Sequence, residues 1–404
     1  MVPAPVVEVA IVGGGPAGAA LAARLAGAGR EVVLLERSPA WHWRACGVFS
    51  SPATVAALRR LGVDEATLDR VTRPIPAMRV EMPGGEAFRL TYGDDGSLAA
   101  PAVGFDRSAL DPALLDLARR HGARVRLGVH VQRVTLGNGN DRPVLLDLRD
   151  PDGVPERLRA RIVVGADGRR SVVTAAAGAG RRPPLGERTG LTYHVADRRE
   201  GAHDARMVVL DDGYVGLAPV PGGRINVGMV LGGTWRATLR RDGARAVSER
   251  FERRVGLATA GRTAARCDEL AGAAPLAAGV VRRSGPGWLL VGDAAGFLDP
   301  FTGEGLHRAI VSAELAAAAI ESTLRGRART LDAYERAMTR QFRSKDVVSL
   351  LVQAFLARPA LFAYAARRLA GRAGVRETMG LVMGDLVPAS RAIDPRYLAA
   401  LLRP

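Results

Sequence analysis

The sequence predicts an α/β chain in which a parallel sheet is interrupted by an inserted β-rich unit and followed by a helical C-terminal region. Three observations carry this reading. The stretch VVEVAIVGGGPAGAALAARLAGAGREVVLLER, from Val6 to Arg37, runs strand, glycine turn, helix, strand. Short strand-like segments separated by turn residues follow position 180. A buried strand then returns at Trp288 to Val291, and from Glu304 onward the pattern is mostly helical. At 404 residues and 48% hydrophobic side chains, the chain is long enough to bury two cores.

Apolar residues run unbroken from Val9 to Val12 and from Val32 to Leu35, as strands covered on both faces should. The helix between them ends near Gly27 and Gly29, at capping positions. Ser51-Pro52 opens a helix through Leu61, with serine as N-cap and proline in the first turn. Ala77 to Leu90 reads as a hairpin around Pro83-Gly84-Gly85. Ser108 to His121 is predicted helical, Ala123 to Val134 extended, and Arg161 to Val164 a strand ending at GADG. Further on, TYHVA, ARMVVL, YVGLAPV and RINVGMVL read as strands, the last two joined through Pro221-Gly222-Gly223. Trp235 to Val255 reads as a helix. The boundaries drawn are 1–75, 101–180 and 281–330 for the parallel-sheet unit, 76–100 and 181–280 for the inserted unit, and 331–404 for the helical region.

The net charge of +16 and a pI near 11.1 raise nucleic acid or an anionic membrane as partners. All but one of the 57 basic side chains are arginine, Lys345 being the exception. They are scattered in pairs such as Arg59-Arg60 and Arg119-Arg120, whereas a nucleic-acid surface gathers its charge in a stripe interleaved with aromatics. Aromatics make up 5% of the chain, so no nucleic-acid partner is expected. Cys46 and Cys267 have no CxxC spacing, and no metal is expected. No signal-peptide pattern precedes Val6, and the apolar run from Val347 to Ala357 is too short to span a bilayer. A cytoplasmic enzyme is the expectation. The segment QAFLARPALFAYAARRLAGRAG alternates apolar residues with arginines, which sets peripheral membrane contact through basic C-terminal helices beside ordinary packing over the sheet.

The chemistry is carried by glycine turns. Gly13, Gly15 and Gly18 satisfy GxGxxG directly after a strand, and Pro16 and Ala17 open the helix. The first glycine makes the tight turn, the second lets a pyrophosphate approach, and the third allows close helix packing. The free amides of the helix N-terminus favour phosphate charge. Glu36 ends the next strand, where a carboxylate binds ribose hydroxyls. This Rossmann-like unit predicts a dinucleotide. Two more glycine-acid turns follow strands: Asp167-Gly168 after IVV and Gly292-Asp293 after LLV.

With these three motifs in order, the chain resembles the flavoprotein aromatic-hydroxylase superfamily, which includes the geranylgeranyl reductases. The resemblance covers roughly the whole chain. It implies a Rossmann-like FAD-binding domain, an inserted β-sheet substrate domain, FAD as cofactor and NAD(P)H as electron donor. It gives the pyrophosphate to Gly13, Gly15, Pro16, Ala17 and Gly18, and the adenosine ribose to Glu36, with Arg37 beside it. Arg44 and Arg107 match cofactor-contacting arginines, and Val131 would touch the adenine through its backbone. Asp167 belongs to the second motif. Asp293, after Gly292, would bind a ribityl hydroxyl. Pro300, Gly303, Gly305 and Leu306 would lie along the flavin's pyrimidine edge, where a planar ring leaves no space for side chains.

The branch signals point two ways. GDAAG and DPxTGEG resemble the geranylgeranyl-reductase branch, whereas YVGLAP followed by NVG resembles quinone-modifying hydroxylases. Ser171 is followed by Val172 where the superfamily pattern leads to an arginine used for NAD(P)H. Trp41-His42-Trp43 resembles a halogenase tryptophan motif, but the rest of that motif is absent and halogenation is set aside. The first expectation is a monooxygenase of secondary metabolism acting on an apolar aromatic, quinone-like or polyketide-derived small molecule, in which the protein excludes water and positions the substrate. The alternative is a reductase delivering hydride to isoprenoid carbon–carbon double bonds. Cys46, Tyr214 and Pro300 are the candidate catalytic residues, although Cys46 and Tyr214 each also fit a packing role. His307 and Asp299 are read as packing and turn-shaping residues.

Overall fold

A computed structural model describes residues 6–92, 101–137, 142–182, 188–197, 199, 201, 203–257 and 264–403. Its first sheet is Rossmann-like. The strand Val6–Val12 lies between Val32–Glu36 and Pro155–Gly165, with Arg124–Leu127 and Trp288–Leu290 outside them, all five parallel. Pro155–Gly165 is long enough to serve two partners. Its C-terminal half pairs with the first strand, and its N-terminal half pairs antiparallel with Val144–Arg149.

The helices Pro16–Gly27, Arg107–Arg120 and Gly305–Leu324 pack together, and their contact surfaces are rich in alanine. Ala19, Ala20, Ala22 and Ala23 of the first helix and Ala313 and Ala316 of the last are fully buried. Short side chains let helix backbones approach closely, which sets the turn at the head of the first helix against the head of the last.

The second sheet has seven strands, in the order Ala271–Ala273, Thr189–Ala196, Arg224–Leu231, Gly213–Val220, Ala205–Leu210, Ala77–Glu81 and Ala87–Thr91. The early hairpin therefore shares a sheet with strands more than a hundred residues later, joining it by parallel pairing of Ala77–Glu81 with Ala205–Leu210. Side chains alternate between two cores. Tyr193, Val215, Val227 and Met229 pack against Phe251 and Val247 of the helix Trp235–Arg254. Tyr214, Ala218, Met207 and Val209 point the other way, toward Ala365, Leu369, Val382 and Tyr397 of the C-terminal helices. Full burial of each large apolar side chain is worth about 1.5–3 kcal/mol, so both faces contribute and neither is free.

Two elements differ from the sequence reading. The extended run Ala123 to Val134 breaks at Gly128: Arg124–Leu127 stays in the parallel sheet, while His130–Thr135 turns to pair antiparallel with Val144–Arg149. The helix Trp235–Arg254 is interrupted at Gly243, whose φ of 81° and ψ of 160° leave the helical region. Both are glycine positions, where a change of direction meets no Cβ.

The helices Asp332–Leu356 and Pro359–Gly371 meet at 115°. Arg358 takes an extended φ of −130°, as the residue before a proline prefers. Ala373–Met383 and Pro395–Leu402 complete the helical region. Among the described residues no single helix is long and apolar enough to cross a membrane.

Candidate active site

The glycine turn holds its shape by close contacts. A Cβ at Gly13 would lie 2.4 Å from the Ala166 carbonyl oxygen, and one at Gly18 would lie 2.0 Å from the Gly13 carbonyl oxygen. These two glycines are fixed by packing inside the protein. Gly15 is different, because a Cβ there would meet nothing within 4 Å. It faces open space at the N-terminus of Pro16–Gly27. Glu36 sits behind the turn, its carboxylate accepting from the Gly14 amide at 2.7 Å and from the Ser38 amide at 3.0 Å. Val131 is buried in the core beside it and Arg37 is exposed.

The turn at Gly292 is packed against the same helix. A Cβ at Gly292 would lie 2.8 Å from the Ala17 Cβ, and its amide donates to Ser312 Oγ at 2.9 Å. The carboxylate of Asp293, next along, makes no hydrogen bond or ion pair among the described residues, although its carbonyl accepts from the Gly296 amide at 3.2 Å. Burial pushes its carboxyl up, while Arg169, Arg107 and Arg308 pull it down. Burial likewise raises the Cys46 thiol, against the charges of Arg107 and Arg44. Side chains from four separate stretches, around 45, 107, 169 and 293, thus come within electrostatic reach of one another in one region. Arg107 braces it: Nε and Nη2 donate to Asp111 at 2.7 and 2.9 Å, and Nη1 donates to the Gly47 carbonyl at 3.0 Å. Asp167 Oδ2 accepts from the Val172 amide at 2.8 Å, whereas its buried Oδ1 has no partner. The buried Nε of Arg44 is also without one.

In the segment from Asp299 to Gly305 the two later glycines have different causes. Gly303 has φ +69°, and a Cβ there would lie 2.4 Å from the Phe49 ring. Its small size serves the turn and Phe49, which corrects the expectation that a flavin ring alone excludes a side chain at this position. Gly305 opens the helix Gly305–Leu324, and a Cβ there would meet only Phe297, at 3.8 Å. Among the described residues, space is left open in front of Gly305.

Two polar networks anchor this segment. Asp299, buried, accepts from Tyr214 Oη at 2.5 Å, from the Phe301 amide at 3.0 Å and from Arg188 Nη1 at 2.8 Å. Arg188 also donates to Gln353. Tyr214 lies edge-on to Phe301 at 5.0 Å, and its hydroxyl is used in holding the loop. In the second network Lys345 Nζ lies 3.1 Å from Glu304 Oε1 and donates to Asp385 Oδ1 and the Val382 carbonyl, each at 2.6 Å. Ser51 donates to the other Asp385 oxygen at 2.8 Å. The chain's one lysine therefore ties the head of Gly305–Leu324 to the C-terminal helices. His307 lies nearby with its buried Nδ1 unpartnered. Trp43 of the WHW segment packs on His194 at 4.5 Å between ring centroids, and His194 Nδ1 is 2.5 Å from Asp268 Oδ2.

Beside this segment lies a chamber of about 610 Å³, its mouth included. Phe49, Phe301 and Thr302 form one end. The second sheet supplies Met78, Phe88 and Met207, and the C-terminal helices supply Val352, Phe362, Met379 and Met383. Sequence reasoning missed this chamber and Lys345's role, because their residues come from elements far apart in the chain. The lone lysine among 56 arginines was the one signal available for the second.

Residues 6–349 match the family model described as "FAD binding domain". The chain is 31% identical to digeranylgeranylglycerophospholipid reductase 2 of Methanopyrus kandleri, over 78% of this chain and 78% of the relative. It is 30% identical to a menaquinone reductase of Mycolicibacterium smegmatis, over 77% of this chain and 75% of the relative. The crystal structure of a geranylgeranyl bacteriochlorophyll reductase-like protein from Thermoplasma acidophilum aligns with a TM-score of 0.77 at 20% identity, covering 98% and 96% of the two chains. The flavin-dependent halogenase CmlS shares the fold, with a TM-score of 0.74 at 24% identity over 91% of this chain. The chain spans 65% of that halogenase's length.

Proposed function

The chain belongs to the FAD-binding-domain flavoproteins, in the superfamily that holds the geranylgeranyl reductases and aromatic hydroxylases, and on that premise we propose that this FAD-dependent oxidoreductase reduces carbon–carbon double bonds of a polyprenyl chain. The cleft's own residues fit FAD. Gly15 faces open space at a helix N-terminus, where amides and dipole favour a pyrophosphate. Asp293 has an unengaged carboxylate for a ribityl hydroxyl, and Asp167 Oδ1 and Arg44 Nε are buried groups awaiting a partner. Gly305 leaves room for a ring edge before the amides of Gly305–Leu324.

FAD held by these residues would supply two-electron redox chemistry between a nicotinamide donor such as NAD(P)H and an acceptor. The protein's residues do the rest. The Tyr214–Asp299–Arg188 bonds fix the loop at the chamber's end, Lys345 fixes the helix behind it, and the Phe and Met walls exclude water.

The observation that carries this reading is the chamber's lining. Among the described residues its only hydroxyls are those of Thr302 and Tyr92, and the remaining lining residues are hydrocarbon, aromatic or thioether. A phenol or quinone head left without hydrogen-bond partners in such walls loses about 1–3 kcal/mol per buried polar group, whereas an isoprenoid tail loses nothing. Four methionines give walls that adapt to a flexible chain. The names of the two reductase relatives, a geranylgeranyl lipid and a menaquinone, are those of isoprenoid-bearing molecules. Monooxygenation, the first expectation from the sequence, remains the second reading. It is favoured by the YVGLAP hairpin, whose Tyr214 reaches the cofactor-side loop. Product mass after incubation with NAD(P)H and a geranylgeranyl lipid separates the two. A gain of two hydrogens supports reduction, and a gain of one oxygen supports monooxygenation.

A further inference from the structure

We propose that the exposed face of the helix Asp332–Leu356, together with its bend into Pro359–Gly371, docks on an anionic lipid bilayer, and that the chamber receives its hydrocarbon substrate from that surface. The second half rests on the polyprenyl reading; the first does not. Arg336, Arg340, Arg343, Val347, Leu350, Ala354 and Arg358 recur at helical spacing along one face, and all are exposed. The face is basic over its first half and apolar over its second. Val347 and Leu350 are 37% and 38% exposed, and with Leu386 and Leu402 they make four of the seven exposed large hydrophobics among the described residues.

The charge on this face is not neutralised from within. Arg336, Arg340 and Arg343 make no hydrogen bond or ion pair among the described residues. Of the acids on the same helix, Glu335 pairs with Arg283 at 2.7 Å, Asp346 pairs with Arg308, and Asp332, one turn before Arg336, accepts from Thr330 Oγ1 at 2.9 Å and forms no ion pair within 4 Å among the described residues. A face of three open guanidiniums followed by an apolar bend complements a surface that is anionic outside and hydrocarbon beneath. A net charge of +16 on the whole chain adds long-range attraction. The two helices together reach the mean hydropathy of a membrane span but meet at 115°, which suits lying in an interface.

The same two helices form the chamber's outer wall. Val352 and Phe362 project inward from either side of the bend, and with Met379 and Met383 they are half-exposed. The sheet-side lining, Met78, Val80, Phe88, Leu90 and Met207, is buried. The helical wall is therefore the side on which the chamber meets the surface, and its far end is at Phe49 and Phe301. A bilayer held at the bend presents hydrocarbon chains at that wall.

The test is co-flotation of the FAD-loaded full chain with phosphatidylcholine vesicles, with and without phosphatidylglycerol. Binding is expected only with the anionic lipid. The variant R336E/R340E/R343E is expected to weaken binding by roughly fivefold or more per arginine, and Leu350→Glu with Ala354→Glu to abolish it. Flavin content and thermal unfolding verify that both variants fold. No flotation of the parent protein, or flotation unchanged in both variants, overturns the proposal. So does a concentration-dependent dimer that the Leu350→Glu/Ala354→Glu variant dissolves while vesicle binding is absent, because the face is then an interface between copies. Reduction of a detergent-dispersed geranylgeranyl lipid is measured in parallel. Its loss with flotation intact sinks the polyprenyl reading alone, and its persistence without flotation sinks the docking alone.

Discussion

At the scale of single residues, the two glycines of the 299–305 segment separate structural from cofactor roles. Gly303→Ala places a Cβ in a left-handed conformation against Phe49 and should destabilise the fold by about 1–2 kcal/mol, read as a lower Tm. The first atom of a side chain at Gly305 meets only Phe297, at 3.8 Å, so Gly305→Leu should lower Tm of the cofactor-free protein less than Gly303→Ala does, while lowering flavin content or making the flavin harder to reduce. Unchanged flavin content and potential in Gly305→Leu would count against the placement of the ring. Asp293→Ala should weaken FAD retention on gel filtration about tenfold or more, the worth of a charge-assisted hydrogen bond. The glycine turns and Asp293 were legible in the sequence because each stands next to a strand in a fixed local pattern. Phe49 and Asp299 were not read this way, because the residues they meet, Gly303 in one case and Tyr214 and Arg188 in the other, are distant in the chain.

At the scale of elements, the helix Gly305–Leu324 depends on a buried ion cluster at its head. Lys345→Met removes the charge that pairs Glu304 with Asp385 and leaves Glu304 only the more distant Arg308, at 3.9 Å; it should cost about 3 kcal/mol, measured by denaturant unfolding. A second element-level effect is pH dependence. Burial holds the His194 and His307 imidazoles below their ordinary value, with Asp268 partly opposing it for the first and Asp385 for the second. The unfolded chain therefore takes up these protons first as pH falls. The stability they contribute is full above about pH 6.5 and is lost as pH drops through that value toward the lower folded ones. Burial has the opposite consequence for Asp293 and Asp299, whose carboxyls are raised; protonating them favours the fold and offsets part of the decline, until the ion-paired carboxylates held below their ordinary value, such as Glu81 and Glu156, lose their stabilisation at still lower pH. Thermal scans across this range check the sign, and His307→Asn should reduce the slope. Element types were legible from periodicity. The breaks at Gly128 and Gly243 were not, because a glycine inside a periodic run fits both continuation and a change of direction.

At the scale of the whole molecule, a Rossmann-like sheet supplies the cleft, and a second sheet roofed by C-terminal helices supplies the chamber beside it. The first was visible in the sequence as three glycine-acid turns in order. The chamber was not, because its walls come from strands near positions 80, 90 and 207 and from helices beyond 350, and only packing brings them together. Filling it at Met207 with tryptophan should raise KM for a long isoprenoid about tenfold or more while leaving flavin content intact. The claim that joins cleft to chamber is that electrons pass from the bound flavin to a hydrocarbon double bond. Anaerobic mixing of the photoreduced FAD-loaded protein with a geranylgeranyl lipid, followed at the flavin absorbance, measures this directly. Return of the yellow oxidised spectrum without oxygen, with a product heavier by two hydrogens, is the predicted result; a spectrum that stays bleached until air is admitted, with the lipid unchanged or carrying an added oxygen, would contradict it.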